Sequence, residues 1–318
     1  MIEVVPNVSE GRRPEIVHAL RTAVASVPGA SLLDCSSDPS HNRSVFTLVG
    51  EADALHGAIL RLVDVAVRHI DLRTPNRGAH PRMGVVDVVP FIPLEGAVMA
   101  DCVTLARETA RSIADTFGVP TYLYEEAATR PERRRLESIR RGEFEGLAAR
   151  MGTAEWQPDY GPSVPHASAG ATAVGARKAL IAFNVDLESA TLDDARHIAA
   201  VVRESSGGLR AVKALGLWLP HRDCAQVSMN LTDFTATSVA VAFDAVVEAA
   251  KARGVGVRES ELVGLIPAAA LAGTTSEHLK LAGFDASRIL EERIKQMTKS
   301  ALPLRTPRET ENTENRAK

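Results

Sequence analysis

Apolar positions along this chain alternate between two periods. IEVVP (2–6) is a short apolar run closed by Pro6. PEIVHALRTAVASV (14–27) carries apolar residues at helical spacing behind a proline in its first turn, where a missing N–H costs nothing. ASLLDCS (30–36) and RSVFTLVG (43–50) read as strands on either side of the turn DPSHN (38–42). EADALHGAILRLVDVAVRHI (51–70) predicts a helix and GVVDVV (84–89) a strand, giving the order βαββαβ. The second half repeats it. KALIAFNVDL (178–187) is a strand, LDDARHIAAVVRES (192–205) a helix, and LRAVKALGLWLP (209–220) and AQVSMNLTDF (225–234) are two strands joined by a tight turn. A helix over 236–254, stopped by Gly254, and a strand over 255–266 complete the set.

Two βαββαβ units predict an α/β (α+β) protein of two ferredoxin-like subdomains, with helices packed on one face of each sheet and the other faces open for a site or a dimer interface. The first subdomain is expected over 1–176 and the second over 177–300. An insertion at about 94–176 holds a helix (101–118), the strand-like PTYLYEE (120–126) and a basic helical stretch (129–151) that reads as a solvated face with Glu–Arg pairs. Its end, DYGPSVPHASAGATAVGA (159–176), has Pro, Gly, Ser and Ala at most positions and predicts a long loop, of a length that is usually functional or disordered. The polar segment 301–318 predicts a disordered tail.

Composition narrows the function. A net charge of -3 gives no nucleic-acid footprint, and aromatic residues at 4% leave few stacking platforms for bases. Cys35, Cys102 and Cys224 are odd in number and form no CxxC, as expected of thiols in a reducing compartment. The start turns polar within a few residues, and the longest uncharged run is too short for a bilayer. These readings predict a soluble cytoplasmic protein without membrane or nucleic-acid partners. HExxH, GxSxG, a GK[ST] loop and Cys/His metal spacings are all missing from the sequence, so no metal is expected.

The segment RGAHPRMG (77–84) places His80 between glycines and ahead of Pro81, on a loop entering a strand. Such a ring either bonds its own turn or moves protons near neutral pH. Arg77 and Arg82 flank it and either face solvent or hold a carboxylate between them. Asp87 lies among valines, on the open face or as an unusual buried carboxylate. DPSHNRS (38–44) offers Asp38, His41, Asn42 and Arg43 in one turn, which would surround a ligand if the sheet sets it beside 78–84. PNVSEG (6–11) is a polar turn in which Ser9 is expected to cap the following helix. GPSVPHASAG (161–170) can expose backbone amides to an anionic or heterocyclic ligand.

Taken in order, PNVSEG, DPSHNRSVFTLVG, IDLRTPNRGAHPRMGVVDVVPFIPL, PTYLYEEAA, DYGPSVPHASAGATAVGARKALIAFNV, AQVSMNLTDF and ELVGLIP resemble the matching segments of glutamate formiminotransferases, over about residues 1–295. The resemblance implies transfer of a formimino group from N-formimino-L-glutamate to tetrahydrofolate in histidine degradation. It further implies a homodimer with folate bound between two similar subdomains, and no cyclodeaminase partner here. Within it, His80 matches the catalytic histidine of the HPRMG motif. The folate segment matches Gly161, Pro162, Ser163, Val164, Pro165, His166, Ala167, Ser168, Ala169 and Gly170, although this chain lacks the Phe and Trp of the animal sequences. Asp38, Asn42, Arg43, Arg77 and Arg82 are the expected substrate contacts, and the basic 130–141 stretch is a candidate track for folate polyglutamate. A related folate-dependent formyl transfer and a non-catalytic folate-binding module are the alternatives.

Overall fold

The computed structural model describes residues 1–39, 41–74, 78, 81–220 and 222–301. β1 (Ile2–Val4) and β2 (Asn7–Val8) are one run interrupted at Pro6, which has no N–H to give to a ladder. The chain continues through α1 (Pro14–Ala25), β3 (Ala30–Asp38), β4 (Arg43–Gly50), α2 (Ala52–His69) and β5 (Val86–Pro93). The βαββαβ order read from the hydrophobic pattern is present, with β1 and β2 both paired antiparallel between β4 and β5.

The insertion adds α3 (Met99–Phe117), β6 (Thr121–Glu125), α4 (Leu136–Arg140), α5 (Glu143–Met151) and β7 (Thr172–Ala176). β7 runs parallel to both β5 and β6 and lies between them. Residues 172–176 are therefore a buried strand, not the end of the expected loop. Its small residues answer its neighbours, since a Cβ on Gly175 would meet the Tyr124 ring at 2.5 Å. The first sheet thus reads β3-β4-(β1, β2)-β5-β7-β6.

Helices α1, α2 and α3 bury one face of this sheet through residues such as Leu20, Leu62, Ile113, Phe46, Phe91 and Leu123. A second apolar layer of Tyr122, Tyr124, Ile139, Leu147, Met151 and Ala173 lies on the other face. Helices consequently cover part of both faces, which corrects the expectation of one. The expected basic helix is two helices, because Gly142 turns left-handed (φ 84) between α4 and α5. Arg134, Arg135 and Arg141 are exposed, but the other arginines of the stretch are engaged within the fold. Arg133 is 3% exposed and bonds Asp159 at 2.7 Å, and Arg150 stacks on Trp156.

The second sheet follows from β8 (Ile181–Glu188), α6 (Leu192–Val202), β9 (Val212–Leu219), β10 (Cys224–Leu231), α7 (Val239–Ala252) and β11 (Gly256–Val263). Its strands run antiparallel in the order β11-β8-β10-β9. α6 and α7 bury Phe183, Val185, Val227 and Met229. On the opposite face Arg222 reaches Asp186 at 3.1 Å and Glu261 at 2.9 Å, and Gln226 donates to Asp186 at 2.8 Å. No helix among the described residues is long and apolar enough to cross a membrane.

α8 (Leu290–Ala301) returns to the first sheet, where Leu290, Ile294 and Met297 pack with Leu33 and Val49. The guanidinium of Arg293 donates to the Leu33 carbonyl at 3.1 Å. Nearby Glu3 is buried, at 7% exposure. Burial pushes its carboxyl up to about 7, against the pull of Arg177 and with the push of Glu291. Below the ordinary carboxylate range Glu3 is neutral folded and unfolded alike. As pH rises toward 7 the unfolded chain releases this proton first, so stability falls across that window. Glu3→Gln is expected to flatten the fall, raising Tm more at pH 8 than at pH 4.5. An unchanged difference between the two thermal melts would count against a buried, protonated Glu3.

Candidate active site

The end of β2 and the starts of β4 and β5 meet at one end of the first sheet, with Asn7 paired to Val45 and Val88. Gly78, Pro81 and Arg82 do lie beside residues 41–43. A Cβ on Gly78 would fall 1.8 Å from the His41 carbonyl oxygen and 2.8 Å from the Asn42 nitrogen. His80 and Arg77 themselves fall outside the described residues. On either side of their place the wall is defined. A small open hollow is lined by Asn7, Ser9, Asn42, Arg43, Pro81 and Asp87, among others. A neighbouring one shares Ser9, Asn42 and Arg82 with it and adds Glu10 and Asp71.

Local hydrogen bonds fix these walls. The Ser9 hydroxyl donates to the Gly84 carbonyl at 2.7 Å, and the Ser9 N–H to that of Val85 at 2.8 Å. Ser9 therefore ties the loop to β5 and does not cap α1, contrary to expectation. The fully buried Glu10 carboxylate receives the Arg12 and Arg13 N–H groups at 2.8 and 2.9 Å instead. Asn42 adopts φ 47, a left-handed conformation that asparagine tolerates, and its side-chain oxygen accepts from the Gly11 N–H at 3.0 Å.

The expected substrate contacts separate. Asp38 accepts the His41 N–H at 3.0 Å, holding its own turn, and is not among the lining residues. Arg43 is on the wall. Burial and the charge of Arg140 push its pKa down to about 9, against Asp87 and Tyr124, so it stays cationic at neutral pH. Arg82 is 8% exposed, with its guanidinium on Glu145 at 3.1 Å and the Leu72 carbonyl at 3.4 Å. It lines both hollows but is committed to the protein. Asp87, 3% exposed, is the buried carboxylate that the valine run made conceivable. One oxygen accepts the Met83 N–H at 2.9 Å and the other the Arg140 guanidinium. Arg140 was illegible as a site residue because it sits in a run of arginines. The signal for it was Asp87, since a buried carboxylate requires a cation.

The 161–170 segment divides in two. Gly161, Pro162, Ser163, Val164 and Ala167 are exposed, whereas Pro165, His166 and Ser168 are half-buried and Ala169 and Gly170 are buried. His166 and Gly170 exchange N–H···O bonds of 2.9 Å, and the His166 Nδ1 accepts the Ala169 N–H at 3.1 Å. That nitrogen is thus occupied by its own turn. Ser168 accepts from Leu72 N–H at 2.9 Å, Ala169 from Val85 N–H at 3.0 Å, and Ala171 donates to Met83 at 3.0 Å. The segment's second half therefore braces the backbone on both sides of the 75–80 stretch. Gly170 is required there, because at φ 73 its Cβ would lie 2.1 Å from the Met83 oxygen.

Two α/β units with a polar, histidine-bearing loop at the end of a sheet define a candidate small-molecule enzyme. Comparison with known proteins makes the class specific. Residues 1–177 match the formiminotransferase domain, N-terminal subdomain, and residues 182–305 the formiminotransferase domain. The chain belongs to the formiminotransferase family. It is 43% identical to a glutamate formimidoyltransferase of Streptococcus pyogenes serotype M1, covering 92% of this chain and 98% of that protein. It is 41% identical to a glutamate formimidoyltransferase of Thermoplasma acidophilum, covering 93% and 98%. A formimidoyltransferase-cyclodeaminase of Sus scrofa is 43% identical over 85% of this chain and 51% of that longer protein.

Proposed function

We infer that this chain is a glutamate formimidoyltransferase. It moves the formimino group of N-formimino-L-glutamate to tetrahydrofolate, giving 5-formiminotetrahydrofolate and glutamate in histidine degradation. The observation that carries this reading is the near full-length identity, 43% and 41%, to two stand-alone formimidoyltransferases. Tetrahydrofolate is the co-substrate, and the enzyme works as a cytoplasmic homodimer without a metal.

The chemistry asks for one proton to change places. N5 of tetrahydrofolate attacks the amidine carbon, and a tetrahedral intermediate forms. N5 then gives up its proton, and the glutamate nitrogen takes one as the C–N bond breaks. In this proposal His80 takes the first proton and returns the second, a role worth roughly 10²–10⁴ in rate. The close seat of Gly78, two residues before it in the chain, on the 41–42 backbone supports the assignment. Asp38 holds the backbone of its turn, and Asn42 from that turn lines the wall. Residues 161–170 form part of the folate side, where the exposed Gly161, Ser163 and Val164 supply backbone N–H groups.

The glutamate end of the donor carries two carboxylates. Arg43 and Arg77 hold them, with Arg82 behind, already engaged by Glu145. Arg43→Met is expected to raise KM for formiminoglutamate about 10-fold to 100-fold, the equivalent of one charge-assisted bond, with kcat less changed. Steady-state kinetics with tetrahydrofolate saturating makes the test. An unchanged KM would remove Arg43 from the donor site.

A further inference from the structure

The transfer chemistry makes no direct use of Asp87, although the chain buries a carboxylate there in a run of valines. Its two oxygens point to different parts of the fold. Oδ1 accepts the N–H of Met83, three residues beyond His80, at 2.9 Å. Oδ2 accepts from Arg140, which arrives from α4 in the insertion and is itself only 13% exposed.

The insertion holds the same stretch at two further points. The Phe144 N–H, in the first turn of α5, donates to the Arg82 carbonyl at 2.9 Å. Glu145 holds the Arg82 guanidinium at 3.1 Å. The left-handed break at Gly142 is what lets α4 reach Asp87 while α5 reaches Arg82. One turn before Arg140, Glu137 bonds Lys213 of the second sheet at 2.8 Å. The α4 helix therefore spans from the second sheet to the exit of the His80 loop.

We propose that the buried Asp87–Arg140 pair is a positioning device that sets the His80 loop, making the insertion a clamp on the catalytic histidine. The pair touches no reacting atom. Asp87 fixes the Met83 amide, Arg140 fixes Asp87, and α4 anchors Arg140 against both halves of the molecule. Catalytic geometry is sensitive at this scale, since a misplacement of about 1 Å costs on the order of 100-fold in rate. The inference rests on the proposed formimino transfer with His80 as proton carrier.

The test compares Asp87→Asn, Arg140→Gln, the double variant and Arg140→Lys in full-length enzyme, with far-UV circular dichroism and Tm recorded for each. Asp87→Asn keeps an oxygen for Met83 but loses the charge that Arg140 needs. Asp87→Asn and Arg140→Gln are expected to lower kcat about 10-fold to 100-fold, with KM for both substrates within about 3-fold. The double variant should be no worse than the poorer single one, because the two residues act as a unit. Arg140→Lys, which keeps one charged donor for a single oxygen, should recover most of kcat. A folded Asp87→Asn with wild-type kcat, a loss confined to KM, or additive losses would overturn the proposal. If Asp87→Asn does not fold, the Arg140 variants decide, and a Lys variant as slow as the Gln variant overturns it. Wild-type enzyme without formimino transfer would overturn the function itself and this inference with it. Active wild type with insensitive variants would overturn the inference alone.

Discussion

His80→Ala is expected to lower the turnover of formimino transfer by roughly 10²–10⁴, with little change in the binding of either substrate. The size follows from the chemistry. One proton leaves N5 and one arrives at the glutamate nitrogen, and neither transfer to bulk water at neutral pH is fast without a nearby base and acid. Histidine is the side chain whose ordinary pKa suits both directions. Binding should persist, because the walls of the hollows are built by Ser9, Asn42, Arg43 and Asp87, which the substitution leaves in place. Rapid-quench measurement of a single turnover separates the two effects. A His80→Ala enzyme within a few-fold of wild type in that assay would exclude His80 as the proton carrier.

Gly78→Ala should be nearly as damaging, for a mechanical reason. The added Cβ would fall 1.8 Å from the His41 carbonyl oxygen and 2.2 Å from its carbon. Backbone cannot yield as a long side chain can, so the loop must lift from the 41–42 turn. His80 is two residues away and moves with it. The expected loss in kcat is about 100-fold, the cost of a displacement near 1 Å. Stability should fall by about 1–3 kcal/mol, as for other small-to-large changes in packed places. The comparison of kcat with the thermal melt is the check. A variant that loses stability but keeps its turnover would mean that the loop's seat on the turn does not set the histidine.

The repeated βαββαβ order was legible because helices and strands bury their faces at different periods, as in α2 and β4. β7 was not. Thr172–Ala176 is built of small residues, and its glycine exists to admit the Tyr124 ring, a tertiary reason that no local pattern carries. The basic stretch misled in a similar way. Arg133 and Arg140 look like neighbours on a solvated helix, yet each pairs with a buried carboxylate far along the chain, Asp159 and Asp87. Of the candidate site, the turn at 38–43 and the loop at 78–84 could be found from their residue types. Their adjacency could not, because it depends on β4 and β5 flanking the same broken strand. Arg82 and Arg43 were equivalent in the sequence. Glu145 claims the first, while the second stands on the wall of the hollow.

The central claim is the transfer itself. Purified protein mixed with N-formimino-L-glutamate and tetrahydrofolate should release one glutamate for each tetrahydrofolate consumed, with no release when the folate is omitted. Glutamate release that ignores the folate, or none with both substrates present, would contradict it.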